Sequence, residues 1–135
     1  MNLYEIFTEE EKSDYERLTE DGKVVFGREY FKKNFGAFVY LLGYRDLGKF
    51  HIEQLKRMEQ FRFLESRPVR RLWLWARGFF KTSLITEAHT LWLIVNNPDI
   101  RILIVSYSLE VAKKPLGAIR NQLIGNEDFR YFFSC

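Results

Sequence analysis

The sequence predicts an α/β protein. A helical region over residues 1–67 is followed, over residues 68–135, by β-α-β-α, the opening units of a doubly wound domain with a truncated parallel sheet. Three observations predict this. Apolar residues recur at three- and four-residue spacing through the first half of the chain. From Val69 to Trp75 an apolar run empties into a short loop, after which Lys81-Thr82-Ser83 opens an apolar helix. Ile100 to Ser106 is almost continuously apolar, as a strand covered on both faces is.

Each element has a local reason. Thr8-Glu9-Glu10-Glu11 has the spacing of a capping box, which starts a polar helix running to about Glu20, with Asp21-Gly22 breaking it. A second helix carries an aromatic stripe from Phe26 to Leu42, read as core, and Gly43 ends it. Lys49–Glu65 makes a third helix, with Lys56, Arg57 and Arg62 opposite its apolar side. Arg67-Pro68 stops it, because the residue before proline is pushed out of the α region. Strand Val69–Trp75, loop Ala76–Phe80 and helix Lys81–Val95 follow, then a turn at Asn96-Asn97-Pro98-Asp99 and strand Ile100–Ser106. Ser108 caps a last helix to about Ile124 that must accommodate Pro115. Gly125-Asn126 closes it, leaving an aromatic tail from Asp128 to Cys135.

Composition narrows the functional classes. Of 135 residues, 47% are hydrophobic and 17% aromatic, enough to build a core rather than a disordered chain. The single cysteine, Cys135, permits no internal disulfide and suits a reducing cytoplasm. Met1 to Thr8 lacks the basic start and apolar block of a signal peptide. Apolar runs such as Leu91–Val95 are too short to cross a bilayer, so a soluble, cytoplasmic chain without membrane contact is expected. Two histidines and a terminal cysteine make no metal-ligand set. The formal charge of +3 conceals an acidic start and a basic middle: Arg45 to Lys81 holds ten basic and four acidic residues. That middle suits nucleic acid or nucleotide phosphate, or else is a solvated helix face.

The order strand, loop, Lys-Thr-Ser, helix is that of the P-loop NTPases, in which backbone N–H groups at a helix N-terminus face an anion. On this reading Lys81 reaches the β- and γ-phosphates of ATP, the Thr82 hydroxyl ligates Mg²⁺, and Gly78 lets the backbone approach closely. The generic pattern asks for glycine six residues before the lysine and directly before it, where this chain has Trp75 and Phe80. The plainer readings are a solvated Lys81, a helix-capping Thr82 and a tight turn at Gly78. A cation at a positive helix end without an anion is unfavourable, which argues for the phosphate reading.

Ala76-Arg77-Gly78-Phe79-Phe80-Lys81-Thr82 resembles the phosphate loop of the large terminase subunit of tailed bacteriophages, the ATPase motor that packages DNA. That loop often reads Ala/Ser/Pro-Arg-Gly-x-x-Lys-Thr. Asn97-Pro98-Asp99-Ile100-Arg101-Ile102-Leu103-Ile104 is similar to the family's second strand and its lead-in, and Ser108 to Lys113 to the helix after it. Phe50-His51 and Leu55 lie where the family has its adenine-side motif. The resemblance runs from about Tyr40 onward.

It implies a nucleotide-binding stretch of Arg77, Gly78, Phe79, Phe80, Lys81, Thr82 and Ser83, with His51 on the adenine side, ATP and Mg²⁺ as cofactors, and Arg77 touching phosphate or sensing nucleotide state. Double-stranded DNA, the small terminase subunit and the portal protein are its implied partners. The family's acidic pair after an apolar strand has no counterpart here, so residues 68–135 read as a partial ATPase domain and hydrolysis by this chain alone is not expected. Phe80 stands where many members have glycine. In the family sheet the loop strand and the second strand are separated by strands encoded later; the alternative is that the two pair directly. The alternative functions are a non-catalytic prophage remnant, a nucleic-acid-binding adaptor, or another P-loop NTPase such as a helicase-like protein.

Overall fold

Caps and breaks in the first half of the chain are set by named side chains. The computed structural model describes residues 7–60 and 72–133. Thr8 and Glu11 form the expected capping box at the start of α1 (Glu9–Glu16): Glu11 N–H donates to Thr8 Oγ1 at 3.3 Å and Thr8 N–H to Glu11 Oε2 at 2.8 Å. The helix stops earlier than Asp21-Gly22. Thr19 instead caps α2 (Glu20–Lys33) by accepting from Gly22 N–H, so Asp21 and Gly22 lie in its first turn.

The aromatic stripe expected on one helix is divided at Asn34 between α2 and α3 (Phe35–Leu41). Three of the backbone groups freed by the break are met by side chains. Asn34 Oδ1 accepts from Ala37 N–H, Glu59 Oε2 from Phe35 N–H, and Trp92 Nε1–H donates to the Phe31 carbonyl. Gly43, at φ +93°, ends α3 as expected: Tyr44 N–H donates to Val39 O and Gly43 N–H to Tyr40 O, a Schellman motif. Helix α4 spans Lys49–Glu59.

The fold class differs from the expectation. Among the described residues there is no strand and no sheet, so the α/β reading with a truncated parallel sheet is corrected to a helical architecture. Residues 72–75 of the first expected strand and residues 100–106 of the second show no ladder pairing among the described residues and do not pair with each other. A strand exists only through a neighbour that takes its N–H and C=O groups. What forms instead is an alternation: Trp73, Trp75 and Ile104 pack on the helical core, while Leu72, Leu74, Leu103 and Val105 are exposed, at 81%, 82%, 86% and 78%. Apolar content on both sides of these runs predicted cover on both sides, and only one side finds it. Val69–Arg71, the helix end at residues 61–65, Arg67-Pro68 and the boundary at residues 67 and 68 lie outside the described residues.

The helix after the loop is as expected in extent but not in geometry. Thr82–Ala88 winds in wider, π-type turns and passes into α5 (His89–Asn96). Ser108 accepts from Val111 N–H and caps α6 (Leu109–Gly125), which continues through the buried Pro115. The expected tail is a helix, α7 (Glu127–Phe133), capped by Asn126 through Phe129 N–H at 3.0 Å. Gln122 and Asn126 also donate to the last carbonyls of α3, at Leu42 and Leu41. The core lies where α2, α3, α5 and α7 meet, around the fully buried Phe31, Phe35, Phe38, Trp92 and Phe132.

Candidate nucleotide site

The loop from Ala76 to Phe80 turns at Arg77-Gly78, and two of its residues occupy the left-handed region: Gly78 at φ +82° and Phe80 at φ +50°. Glycine adopts that conformation freely, whereas a phenylalanine held there carries strain of about 1–2 kcal/mol. The position where the generic phosphate loop has its second glycine is thus one whose backbone asks for glycine, although the chain supplies Phe80. The strained residue delivers the chain into the helix: Leu84 N–H donates to Phe80 O at 2.8 Å. The N–H groups of Lys81, Thr82 and Ser83 precede that bond and have no intrahelical acceptor.

Lys81, Thr82, Arg77, Phe79 and Phe80 are exposed. Arg77 and Lys81 make no ion pair among the described residues. Ser83 is half-buried and engaged elsewhere, since it hydrogen-bonds the Tyr44 hydroxyl. Burial and the neighbouring Glu87 carboxylate push that hydroxyl up to about 12, and it donates to Glu87 Oε2 at 3.1 Å. Tyr44 therefore ties the connection after α3 to the helix that follows the loop. Sequence reasoning did not single it out; the only signal was its position four residues after Tyr40.

His51 is brought to the loop. It sits in the first turn of α4, where its Nδ1 accepts the Gly48 N–H at 3.2 Å. The ring's hydrogen is thereby on Nε2, a buried atom with no partner among the described residues. Around it stand Phe79, Phe80 and Trp75, with ring centroids 5.8, 5.9 and 6.4 Å away, and its neighbour Phe50 packs on both Trp75 and Phe79. The helix start and the loop, some thirty positions apart in sequence, share one aromatic cluster. A cavity of about 140 Å³ under Phe80 is lined by Tyr44, Arg45, Asp46 and Leu47, but neither Lys81 nor Thr82 lines it. The side of the loop that bears Lys81 and Thr82 is open surface.

The residues present fit a phosphate better than they fit Mg²⁺. Gly78 gives close backbone approach, three N–H groups are free of helical acceptors, and Arg77 and Lys81 supply cations. For Mg²⁺ the loop offers only the Thr82 hydroxyl, and among the described residues no group of three or more His, Cys, Asp or Glu could hold a metal. His89 packs against the Phe35 and Trp92 rings, and burial lowers its imidazolium from 6.5 to about 4 against a weaker opposing bond to the Met58 carbonyl. No described helix is long and apolar enough to cross a membrane. Comparisons with protein-family models, curated proteins and solved structures found no match to this chain.

Proposed function

We propose that residues 76–83 bind the polyphosphate of a nucleotide, ATP by resemblance, and that the chain is the nucleotide-binding portion of a DNA-packaging ATPase of the terminase type. The observation that carries this is the Gly78–Phe80 turn: two left-handed residues aim the chain into a helix whose first N–H groups and Lys81 face open solvent. In this reading the N–H groups of Lys81 to Ser83 and the Lys81 ammonium hold the phosphates, and Arg77 adds a second cation. The exposed aromatic faces of Phe79 and Phe80 stand beside them for the rest of the nucleotide, with the His51 ring packed behind them. Bound Mg²⁺ would supply charge neutralisation at the phosphates, with Thr82 as its protein ligand. Double-stranded DNA, the small subunit and the portal belong to the same proposal through the resemblance alone.

Equilibrium binding of Mg²⁺–ATP to the chain and to Lys81→Ala tests it. Loss of at least tenfold in affinity in the variant supports the loop. Equal binding by both, or none by the folded chain, overturns it. Retained DNA binding in the absence of nucleotide binding would favour the adaptor instead.

A further inference from the structure

A second cavity, of about 670 Å³, lies between α3, the connection that follows it and α4. That volume is in the range of small-molecule sites. Its inner wall is apolar, from Ala37, Leu47, Ile52 and Leu55. Part of the space exists because position 36 is glycine. A Cβ there would meet only Asn34 Oδ1, at 3.4 Å, so this stretch of α3 presents bare backbone to the cavity.

The mouth is cationic. Arg45 is held with its guanidinium over the Tyr40 ring, 5.1 Å from the centroid, and Lys56 is exposed one turn along α4 from Ile52. Among the described residues the one carboxylate lining the cavity, Glu59, already accepts the Phe35 N–H through Oε2. Two cations thus face one engaged anion. Tyr40 and Tyr44 provide aromatic walls, which favour flat, π-rich partners.

We propose that this cavity binds a small planar aromatic molecule bearing one anionic group, the ring against Tyr40, Tyr44 and the apolar wall and the anion toward Arg45 and Lys56. The proposal does not depend on the phosphate-loop reading, because Lys81 and Thr82 do not line this space.

Isothermal titration of the full chain with 2-naphthoate tests it, with 2-naphthamide as the neutral counterpart. The expected result is saturable one-to-one binding of the acid and at least tenfold weaker binding of the amide. Gly36→Phe, which fills the cavity from the helix backbone, should abolish binding, and Lys81→Ala should leave it unchanged. Charge reversal at the exposed pair, Arg45→Glu with Lys56→Glu, should weaken it at least tenfold and decides the matter if Gly36→Phe does not fold. No saturable binding, equal affinity for acid and amide, or binding that survives either the filled cavity or the reversed charges would overturn it.

Discussion

The indole nitrogen of Trp92 donates to the Phe31 carbonyl oxygen at 2.9 Å, across 61 residues of sequence. Helix α2 ends two residues later, so this carbonyl has lost its place in the helical ladder and lies among fully buried side chains. Trp92→Phe should keep most of the packing and leave the carbonyl unmet, at a cost of about 2 kcal/mol in urea unfolding. A loss below about 0.5 kcal/mol would mean that another donor reaches it.

Gly27 faces the ring of Phe132, and a Cβ on Gly27 would stand 2.3 Å from Cε1 of that ring. Gly27→Ala therefore forces α2 and α7 apart, and should destabilise by about 1–3 kcal/mol although alanine is the better helix former. In the background of Phe132→Leu the same change should cost less. Strict additivity of the two substitutions, read from denaturant midpoints, would show that position 27 does not face the Phe132 ring as described.

Stability should fall in weak acid because of His89. Its folded-state value of about 4 lies below the ordinary 6.5, since burial disfavours the imidazolium. The unfolded chain takes up the proton as pH drops through 6.5, while the folded chain resists until about 4. The contribution is fully present above 6.5, falls between 6.5 and 4, and changes no further below that. By pH 5 the loss is about 2 kcal/mol. His89→Leu should flatten the pH 7 to pH 5 difference by about that amount; an unchanged slope in the variant would assign the acid sensitivity elsewhere.

Two glycine substitutions should have opposite signs. Gly78→Ala places a Cβ on a residue at φ +82° and should cost about 1 kcal/mol. Gly117→Ala, inside α6 with nothing within 4 Å of the new Cβ, should stabilise by about 0.5–1 kcal/mol. Thermal melts of the two variants check this. Stabilisation by both would mean that the loop does not hold its left-handed turn in solution.

What the sequence made legible was local. The Thr8 capping box, the Gly43 stop and the Ser108 cap are each decided within a few residues, and each stands as expected. The break at Asn34 was not legible, because the groups that make it tolerable, Glu59 and Trp92, are remote in sequence and invisible to periodicity. The apolar runs at residues 72–75 and 100–106 read as strands, whereas among the described residues they form no sheet and reach the core only through Trp73, Trp75 and Ile104. Strand pairing is a property of neighbours, and a run's composition does not reveal whether a neighbour is present. At the candidate site, the motif pointed to the loop and the resemblance to His51, and the fold places the His51 ring beside Phe79 and Phe80. The strain at Phe80 and the tie from Tyr44 to Glu87 needed three dimensions.

The bond from Arg28 Nε to the Phe132 carbonyl, 2.7 Å long, joins positions 104 residues apart. On a ribosome adding roughly 5–20 residues each second, α2 would wait on the order of 5–20 s for α7 to be made. During that interval the surface that Phe132 later covers, Gly27 and Phe31, is without its cover. A chain of this design is most open to capture by chaperones or proteases while it is being translated, and a slow codon late in its message would lengthen that exposure.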